Sequence, residues 1–208
     1  MKIAVINETS AGDRNADVMA ALDGRGHELI NAGMTKTGGS PELTYIHTGL
    51  LAALLLNSGR VEYVVGGCGT GLGFLNSVMQ YPNIVCGLIA DPVSAWVFTQ
   101  INGGNCISLP MLYQFGWAGD VNFRFIFDRI FSVEPGIGYP AHRQESQRES
   151  RRTLFEISKR THRSMVEILT LLDPIIVKTV LSFPGVMETL DPDTLADADL
   201  RAAIKKSL

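Results

Sequence analysis

The sequence of 208 residues lacks both a long hydrophobic run and an excess of basic residues. Its longest apolar run, Leu50 to Leu56, is about one third of the roughly 20 residues that a membrane-spanning helix needs. The net charge of −3 argues against a nucleic-acid-binding protein, since such proteins normally carry a basic excess. We therefore expect neither a membrane nor a nucleic acid as a partner.

Cysteine is also scarce, and none of the three has a CxxC or zinc-like spacing: Cys68, Cys86 and Cys106. The apolar run from Met1 to Ile6 is too short for the core of a signal peptide and predicts a first strand instead. These features favour free thiols in a reducing cytoplasm and no metal centre. An apolar content of 46% with 19% charged residues is typical of a folded globular chain.

Short β-rich runs alternate with longer helical stretches over the first two thirds of the chain. Strands are predicted at residues 3–6, 27–31, 61–65, 84–90 and 105–109, with helices between them and a further helix over 115–131. The run 84–90 is apolar throughout, which is typical of a buried parallel strand. The repeated strand–helix–strand order predicts a doubly wound, mostly parallel, Rossmann-like α/β sheet of five strands.

The last third of the chain has a different pattern, which begins after a Pro/Gly-rich connection at 135–140. Apolar residues at three- and four-residue steps, with Thr161 filling one place in the stripe, predict one helix face that ends at Asp173-Pro174: Leu154, Ile157, Met165, Ile168 and Leu172. The acidic residues around 191–199 predict a short exposed helix. We expect an α/β domain over residues 1–150 and a helical C-terminal extension over 151–208 that serves oligomerisation.

A glycine-rich segment, Gly66 to Gly73, follows the third predicted strand. Its glycines allow a tight turn and the close approach of another group, and a helix that starts there would favour an anion. Ligands of doubly wound sheets bind beyond the carboxyl ends of the strands. We therefore expect residues 7–9, this segment and Asp91 to converge on one crevice.

Three familiar glycine-rich sites do not fit this segment. A dinucleotide-binding fingerprint would need a third glycine where Phe74 or Asn76 stands, and a P-loop would need Gly-Lys-Ser/Thr. A cysteine phosphatase would need an arginine at the position of Phe74. What remains is a thiol, Cys68, beside backbone donors that favour a thiolate able to act as a base or a nucleophile. The alternative is that Cys68 is only a small residue that fits a crowded turn. Cys86 and Cys106 are predicted to pack in the core.

The strand followed by Cys68-Gly69-Thr70-Gly71-Leu72-Gly73 resembles the C-G-T-G-x-G hallmark of the type B ribose-5-phosphate isomerases and the galactose-6-phosphate isomerases. Upstream, Tyr45-Ile46-His47 is similar to the family's Tyr-Pro-x segment. Downstream, residues 91–95 and then Asn102 and Asn105 are similar to its acid-Pro-x-Ser-Ala and Asn-x-x-Asn segments. The resemblance covers roughly residues 1 to 150.

The resemblance implies aldose–ketose isomerisation of a sugar phosphate through a cis-enediolate, without a metal or organic cofactor. Cys68 would move the proton between the two carbons, and Thr70 would assist transfer at the oxygens. Backbone N–H groups of Gly69 to Gly73, with Asn102, would stabilise the enediolate. It implies these substrate-binding residues: Glu8, Thr9, Tyr45, Gly69, Gly71, Leu72, Gly73, Asn102, His142, Arg143 and Arg148. It also implies a homodimer or larger assembly, with the C-terminal basic residues binding phosphate across the interface.

The sequence departs from the family pattern in residues for ring opening and phosphate binding. Four positions differ: Glu8-Thr9 replaces Asp-His, Ile101 replaces the ring-opening histidine, Gly103 replaces an acid, and Leu112 stands at about the place of an arginine. Two alternatives therefore stay open: an isomerase of an unphosphorylated or short-chain sugar, or an inactive sugar-phosphate-binding partner subunit. The basic residues at 142–148 are equally consistent with a solvated helix face paired with glutamates.

Overall fold

A computed structural model describes residues 1–208 and contains one sheet of five parallel strands. The strands are β1 (Lys2–Asn7), β2 (Glu28–Asn31), β3 (Tyr63–Cys68), β4 (Cys86–Leu88) and β5 (Cys106–Pro110), in the order β2-β1-β3-β5-β4. Every neighbouring pair is parallel. The predicted doubly wound five-stranded sheet is confirmed. Because β2 and β3 lie on opposite sides of β1, the carboxyl ends of β1 and β3 flank the expected binding crevice.

Helices cover both faces of the sheet. One face carries α1 (Asn15–Leu22), α4 (Pro92–Ile101) and α5 (Gly119–Ile130), and the other carries α2 (Tyr45–Asn57) and α3 (Leu72–Val78). Side chains of β1 alternate between these layers, as a strand requires: Ile3 and Val5 pack with α1 and α5, whereas Ala4 and Ile6 pack with α2. Burial on both faces explains why the central strands are apolar throughout.

The C-terminal third consists of helices: α6 (Gln144–Thr161), α7 (Met165–Leu171), α8 (Pro174–Leu181), α9 (Val186–Leu190) and α10 (Ala198–Lys206). Helices α7 to α10 share one hydrophobic core with α2, to which Leu169, Val180 and Ile204 contribute. The Arg60 side chain also donates to the carbonyls of Leu190 and Asp191, each at 2.7 Å. The expected division between residues 150 and 151 falls inside α6, an 18-residue helix that buries none of its side chains.

The length and the burial predicted for the strand over 84–90 are wrong, although a parallel strand does lie within this run. Strand β4 has three residues and lies at the edge of the sheet, where β5 is its only neighbour. Leu88 is accordingly 37% exposed. The apolar run has another cause, because Ile84 and Ile89 are buried just outside the two ends of the strand.

The predicted single helix face from Leu154 to Leu172 is also wrong. Helix α6 ends at Thr161, and Ser164 begins α7 with a capping box in which its hydroxyl accepts the Glu167 N–H at 3.2 Å and its N–H donates to the Glu167 carboxylate at 3.1 Å. Leu154 is exposed because α6 packs few of its residues. The sequence Ser-x-x-Glu was the signal for this break.

The predicted exposed helix over 191–199 is wrong as well. A short 3₁₀ turn occupies Pro192–Thr194, and α10 starts later, where the Asp197 carboxylate accepts the N–H groups of Asp199 and Leu200. Helix α10 buries Leu200 and Ile204 in the core shared with α2. None of the helices combines the length and the apolar character needed to cross a bilayer.

Candidate active site

The glycine-rich turn begins at Cys68, the last residue of β3, whose exposure is only 5%. The Cys68 carbonyl accepts the N–H of Gly71 at 3.2 Å and the N–H of Met111 at 3.0 Å, which ties the turn to the end of β5. The Thr70 hydroxyl lies 3.8 Å from Cys68 Sγ. The two predicted catalytic side chains are therefore neighbours at the carboxyl edge of the sheet.

Two glycines of the turn are required by its geometry. Gly71 caps α3 with φ +75°, and a Cβ there would lie 2.5 Å from Leu88 Cδ1. A Cβ at Gly73 would lie 2.9 Å from Tyr45 Cδ1, so the Tyr45 ring rests directly on the turn. The predicted site residue Tyr45, the first residue of α2, thus contacts the turn, although more than 20 residues separate the two in the sequence.

A chain of hydrogen bonds joins the end of β1 to the turn. The carboxylate of Glu8, which is 4% exposed, accepts the Ser10 N–H at 2.9 Å and also the Ser10 hydroxyl. Ser10 Oγ in turn accepts the N–H of Gly69 at 2.9 Å. Thr9 lies between them, and its N–H donates to Leu43 O at 2.8 Å. Sequence reasoning missed Ser10 as a site residue, because its partner Gly69 lies 59 positions away in the sequence.

The backbone donors of the turn are partly used within it. The N–H of Gly69 is bound to Ser10, that of Gly71 to the Cys68 carbonyl, and that of Leu72 to Thr70 Oγ1 at 3.3 Å. Gly73 lies in the first turn of α3, where a helix offers no carbonyl to an N–H. The Thr70 N–H also has no acceptor, so the amides of Thr70 and Gly73 are the members of the predicted cradle that remain available to a ligand.

A cavity of about 430 Å³ lies beside the turn. Its lining includes Thr70, Leu72, Asp91, Ser94, Tyr113 and Gln114. The N–H groups of Leu112 and Tyr113 donate to the Gly69 carbonyl at 3.0 and 2.9 Å, which holds the loop after β5 against the turn. The expected convergence of the turn with Asp91 is confirmed. The Asp91 carboxylate itself caps α4, accepting the N–H groups of Val93 and Ser94 at 2.8 and 2.9 Å.

Asn102 does not lie near Cys68 in this chain. It follows α4, which starts beside Asp91 at the carboxyl edge and runs for ten residues, or about 15 Å, back to the opposite edge of the sheet. There it precedes β5 and is exposed to solvent. The Arg151 side chain donates to the neighbouring Ile101 carbonyl at 2.8 Å, which anchors α6 at this same edge.

The three predicted basic residues accompany Asn102. His142, Arg143 and Arg148 are exposed at the start of α6, whose leading segment is held to α4 by a bond from Gly138 N–H to Gln100 O at 2.7 Å. Arg148 is within 3.8 Å of the Glu145 carboxylate. The predicted residues thus form a turn group (Glu8, Thr9, Tyr45, Cys68, Gly69, Thr70, Gly71, Leu72 and Gly73) and a basic group (Asn102, His142, Arg143 and Arg148) at opposite edges of the sheet.

His47 has a structural role at the start of α2. Its Nδ1 accepts the Thr44 N–H at 3.1 Å, which requires the neutral ring. Burial lowers the pKa of His47 below its ordinary value, although the Glu42 carboxylate acts in the opposite direction. The ring therefore serves as a helix cap.

Comparison with known proteins supports the family resemblance. A sequence model of the family described as Ribose/Galactose Isomerase matches residues 3–116, more than half of the chain. The chain belongs to this family. Among curated proteins, none matches it. The family and the solved relatives below show that this is a sugar isomerase.

Two solved structures match along the whole chain. A ribose-5-phosphate isomerase from Vibrio parahaemolyticus is 38% identical, with a TM-score of 0.94, and covers 100% of this chain and 99% of its own. A 4-deoxy-L-threo-5-hexosulose-uronate ketol-isomerase in complex with a tartrate is 37% identical, with a TM-score of 0.92 and the same coverage. A ribose-5-phosphate isomerase B from Clostridium thermocellum, at 22% identity and a TM-score of 0.63, shares the fold but covers 77% of this chain and 99% of its own.

Proposed function

We propose that this sugar isomerase interconverts an aldose and a ketose through a cis-enediolate, with Cys68 as the base. The observation that carries the proposal is the pairing of Cys68 Sγ with the Thr70 hydroxyl, 3.8 Å apart at the end of β3. The thiolate would remove the proton from the carbon next to the carbonyl. An S–H bond forms as the C–H bond breaks, and the electron pair moves onto the carbonyl oxygen.

The second half of the reaction returns the same proton to the neighbouring carbon. The Thr70 hydroxyl would carry a proton from one enediolate oxygen to the other, while the Gly73 N–H stabilises the negative charge. The Cys68 thiol then protonates the former carbonyl carbon, and the thiolate is restored. Atoms and electrons balance within the sugar, so the reaction consumes no external oxidant or reductant.

The first candidate substrate is a sugar phosphate, as the description of the Vibrio parahaemolyticus relative suggests. Its phosphate would be bound by the basic group. Because that group and Cys68 lie at opposite edges of the sheet, a complete site requires the basic group of a second copy. We therefore propose a homodimer in which each active site takes residues from both chains.

The second candidate is an unphosphorylated sugar acid. The relative described as a hexosulose-uronate ketol-isomerase matches the whole chain at 37% identity. Ile101 supports this candidate, because an apolar side chain cannot take a proton from a cyclic sugar. An open-chain uronate would not need such a group, and its carboxylate would replace the phosphate as the charged end.

Turnover of a substrate panel followed by proton NMR would test the function. The panel contains ribose 5-phosphate, a tetrose phosphate, a hexose phosphate and an open-chain hexosulose uronate. Conversion of any aldose to its ketose, lost in Cys68→Ser, is the expected result. Conversion of the uronate alone would favour the second candidate. Binding of a sugar phosphate without conversion of any panel member would contradict the proposal and favour an inactive binding subunit.

A further inference from the structure

Resting on the proposed function, we propose that Arg14, from the same chain that supplies Cys68, binds the anionic group of the substrate, a carboxylate or a phosphate, together with the basic group of the second copy. Arg14 ends the 3₁₀ turn Thr9–Arg14, which directly follows β1 at the carboxyl edge of the sheet. It would determine specificity for acidic sugars, and it takes no part in the proton transfer.

Two segments hold the Arg14 side chain, and both are hydrogen-bonded to Gly69, the residue after Cys68. The guanidinium carbon lies 4.0 Å from the centroid of the Phe115 ring, in the loop between β5 and α5. That loop binds the Gly69 carbonyl through Tyr113 N–H at 2.9 Å. The 3₁₀ turn binds the Gly69 N–H through Ser10 Oγ at 2.9 Å. The guanidinium is therefore fixed relative to the catalytic turn from two sides.

The Arg14 side chain has donors without acceptors. Its Nε has no hydrogen-bond partner and is itself buried, whereas the side chain as a whole is 36% exposed and open to a ligand. Its one ionic contact is from Nη1 to the Asp17 carboxylate at 3.5 Å, at the outer limit of a hydrogen bond. A buried unpaired donor costs free energy that an acceptor would recover, and the planar guanidinium suits a carboxylate or phosphate. The aromatic ring beneath it restricts the rotamers of the side chain and prepares it to bind.

The segments around Arg14 offer few other positive charges that could bind an anion. The loop after β5 presents Leu112, Tyr113 and Gln114. The Glu8 carboxylate is occupied by Ser10. The segment around Lys36 touches the same 3₁₀ turn, since a Cβ at Gly12 would lie 2.3 Å from the Lys36 carbonyl carbon, and the Lys36 side chain is exposed. Lys36 thus provides a matched control: a cation at the same edge that nothing holds in place.

The test compares Arg14→Gln with Lys36→Gln on acidic and neutral sugars. For the acidic substrate, we expect Arg14→Gln to raise KM about 10- to 100-fold with little change in kcat, and to raise KM for a neutral sugar much less. Lys36→Gln should leave both unchanged. An equal rise in KM for acidic and neutral sugars, or no change in KM for the acidic sugar, would overturn the proposal. Thermal unfolding of both variants checks that the fold is retained.

A second measurement does not depend on turnover. The rate at which iodoacetamide, a neutral reagent, alkylates Cys68 is followed by mass spectrometry with increasing tartrate or inorganic phosphate. We expect either anion to protect Cys68 in the wild type and in Lys36→Gln, and to protect it at least tenfold less well in Arg14→Gln. Equal protection in Arg14→Gln, or none in the wild type, would refute the role of Arg14 even if the isomerase reaction is found. Protection that depends on Arg14 without turnover would support it while the proposed reaction fails.

Discussion

Ser10 Oγ accepts the backbone N–H of Gly69 at 2.9 Å, across 59 positions of sequence. The same hydroxyl donates to the buried Glu8 carboxylate. The catalytic turn is therefore held in place by the segment after β1 as well as by its own glycines. A hydrogen bond to a charged partner stabilises more than a neutral one, so this link should affect both folding and activity.

We expect Ser10→Ala to lower kcat about tenfold and the free energy of unfolding by about 1–2 kcal/mol, because the Gly69 N–H and the Glu8 carboxylate both lose a partner. Steady-state kinetics and urea denaturation would measure the two effects. Ser182→Ala is the control, since Ser182 is exposed and its hydroxyl bonds only the Lys178 carbonyl at the end of α8. Wild-type kcat in Ser10→Ala would show that the turn keeps its geometry without the link.

The left-handed conformation at Gly71 gives a prediction about stability. Gly24 has nearly the same φ, +72° against +75°, but a Cβ there would meet nothing within 4 Å. Gly24→Ala should therefore cost only the backbone penalty of about 1 kcal/mol. Gly71→Ala adds a clash with Leu88 and should cost about 2–4 kcal/mol. Chemical denaturation of both variants tests this, and equal losses would show that Leu88 moves aside freely.

The pH dependence of stability should follow His47 and His27. Burial is the main cause that lowers the pKa of both rings below the ordinary 6.5. Between the lowered values and 6.5, the unfolded chain binds more protons, so the free energy of unfolding falls as the pH falls through that window. His47→Gln keeps a side chain able to cap the helix and removes the titration. The free energy of unfolding of this variant should change less between pH 7.5 and pH 5 than that of the wild type. An unchanged pH dependence would show that groups other than His47 cause the loss of stability.

The separation of Cys68 from Asn102 predicts complementation between inactive chains. Cys68→Ser and Asn102→Ala should each be nearly inactive alone. In a mixed dimer of twofold symmetry, one site receives both wild-type residues, so random re-assortment should restore about a quarter of the activity. The measurement is activity after the two variants are unfolded and refolded together, with each variant refolded alone as control. Failure to restore activity would contradict a site shared between subunits.

The glycine-rich segment after the third predicted strand, together with the family resemblance, was sufficient to propose the residues of the turn group. Strand β3 ends within that segment, at Cys68, and the helix α4 lies between β4 and β5 as predicted. The opposite placement of Asn102 was not read from the sequence, because the order of motifs along the chain does not state which edge of the sheet each one reaches. The ten-residue length of α4 carries that information, since a helix of that length returns the chain to the other edge.

The errors occurred where apolar residues were assigned from periodicity alone. An apolar run predicts burial, but at β4 the burial belongs to the flanking Ile84 and Ile89. In the C-terminal third, the repeat at three and four residues continued across the break at Ser164 by coincidence. Ser10 could not be identified from the sequence, since its partner Gly69 is brought close only by the pairing of β1 with β3.

The role of Cys68 as the base is tested most directly by deuterium incorporation next to the sugar carbonyl in D₂O, for wild-type protein, Cys68→Ser and Cys86→Ser. Cys86 is the matched control, as a partly exposed thiol in β4 outside the turn. Proton NMR of the best substrate from the panel would follow the label. Exchange is expected in the wild type and in Cys86→Ser, and its loss is expected in Cys68→Ser. Exchange at the wild-type rate in Cys68→Ser would contradict the assignment of Cys68 as the base.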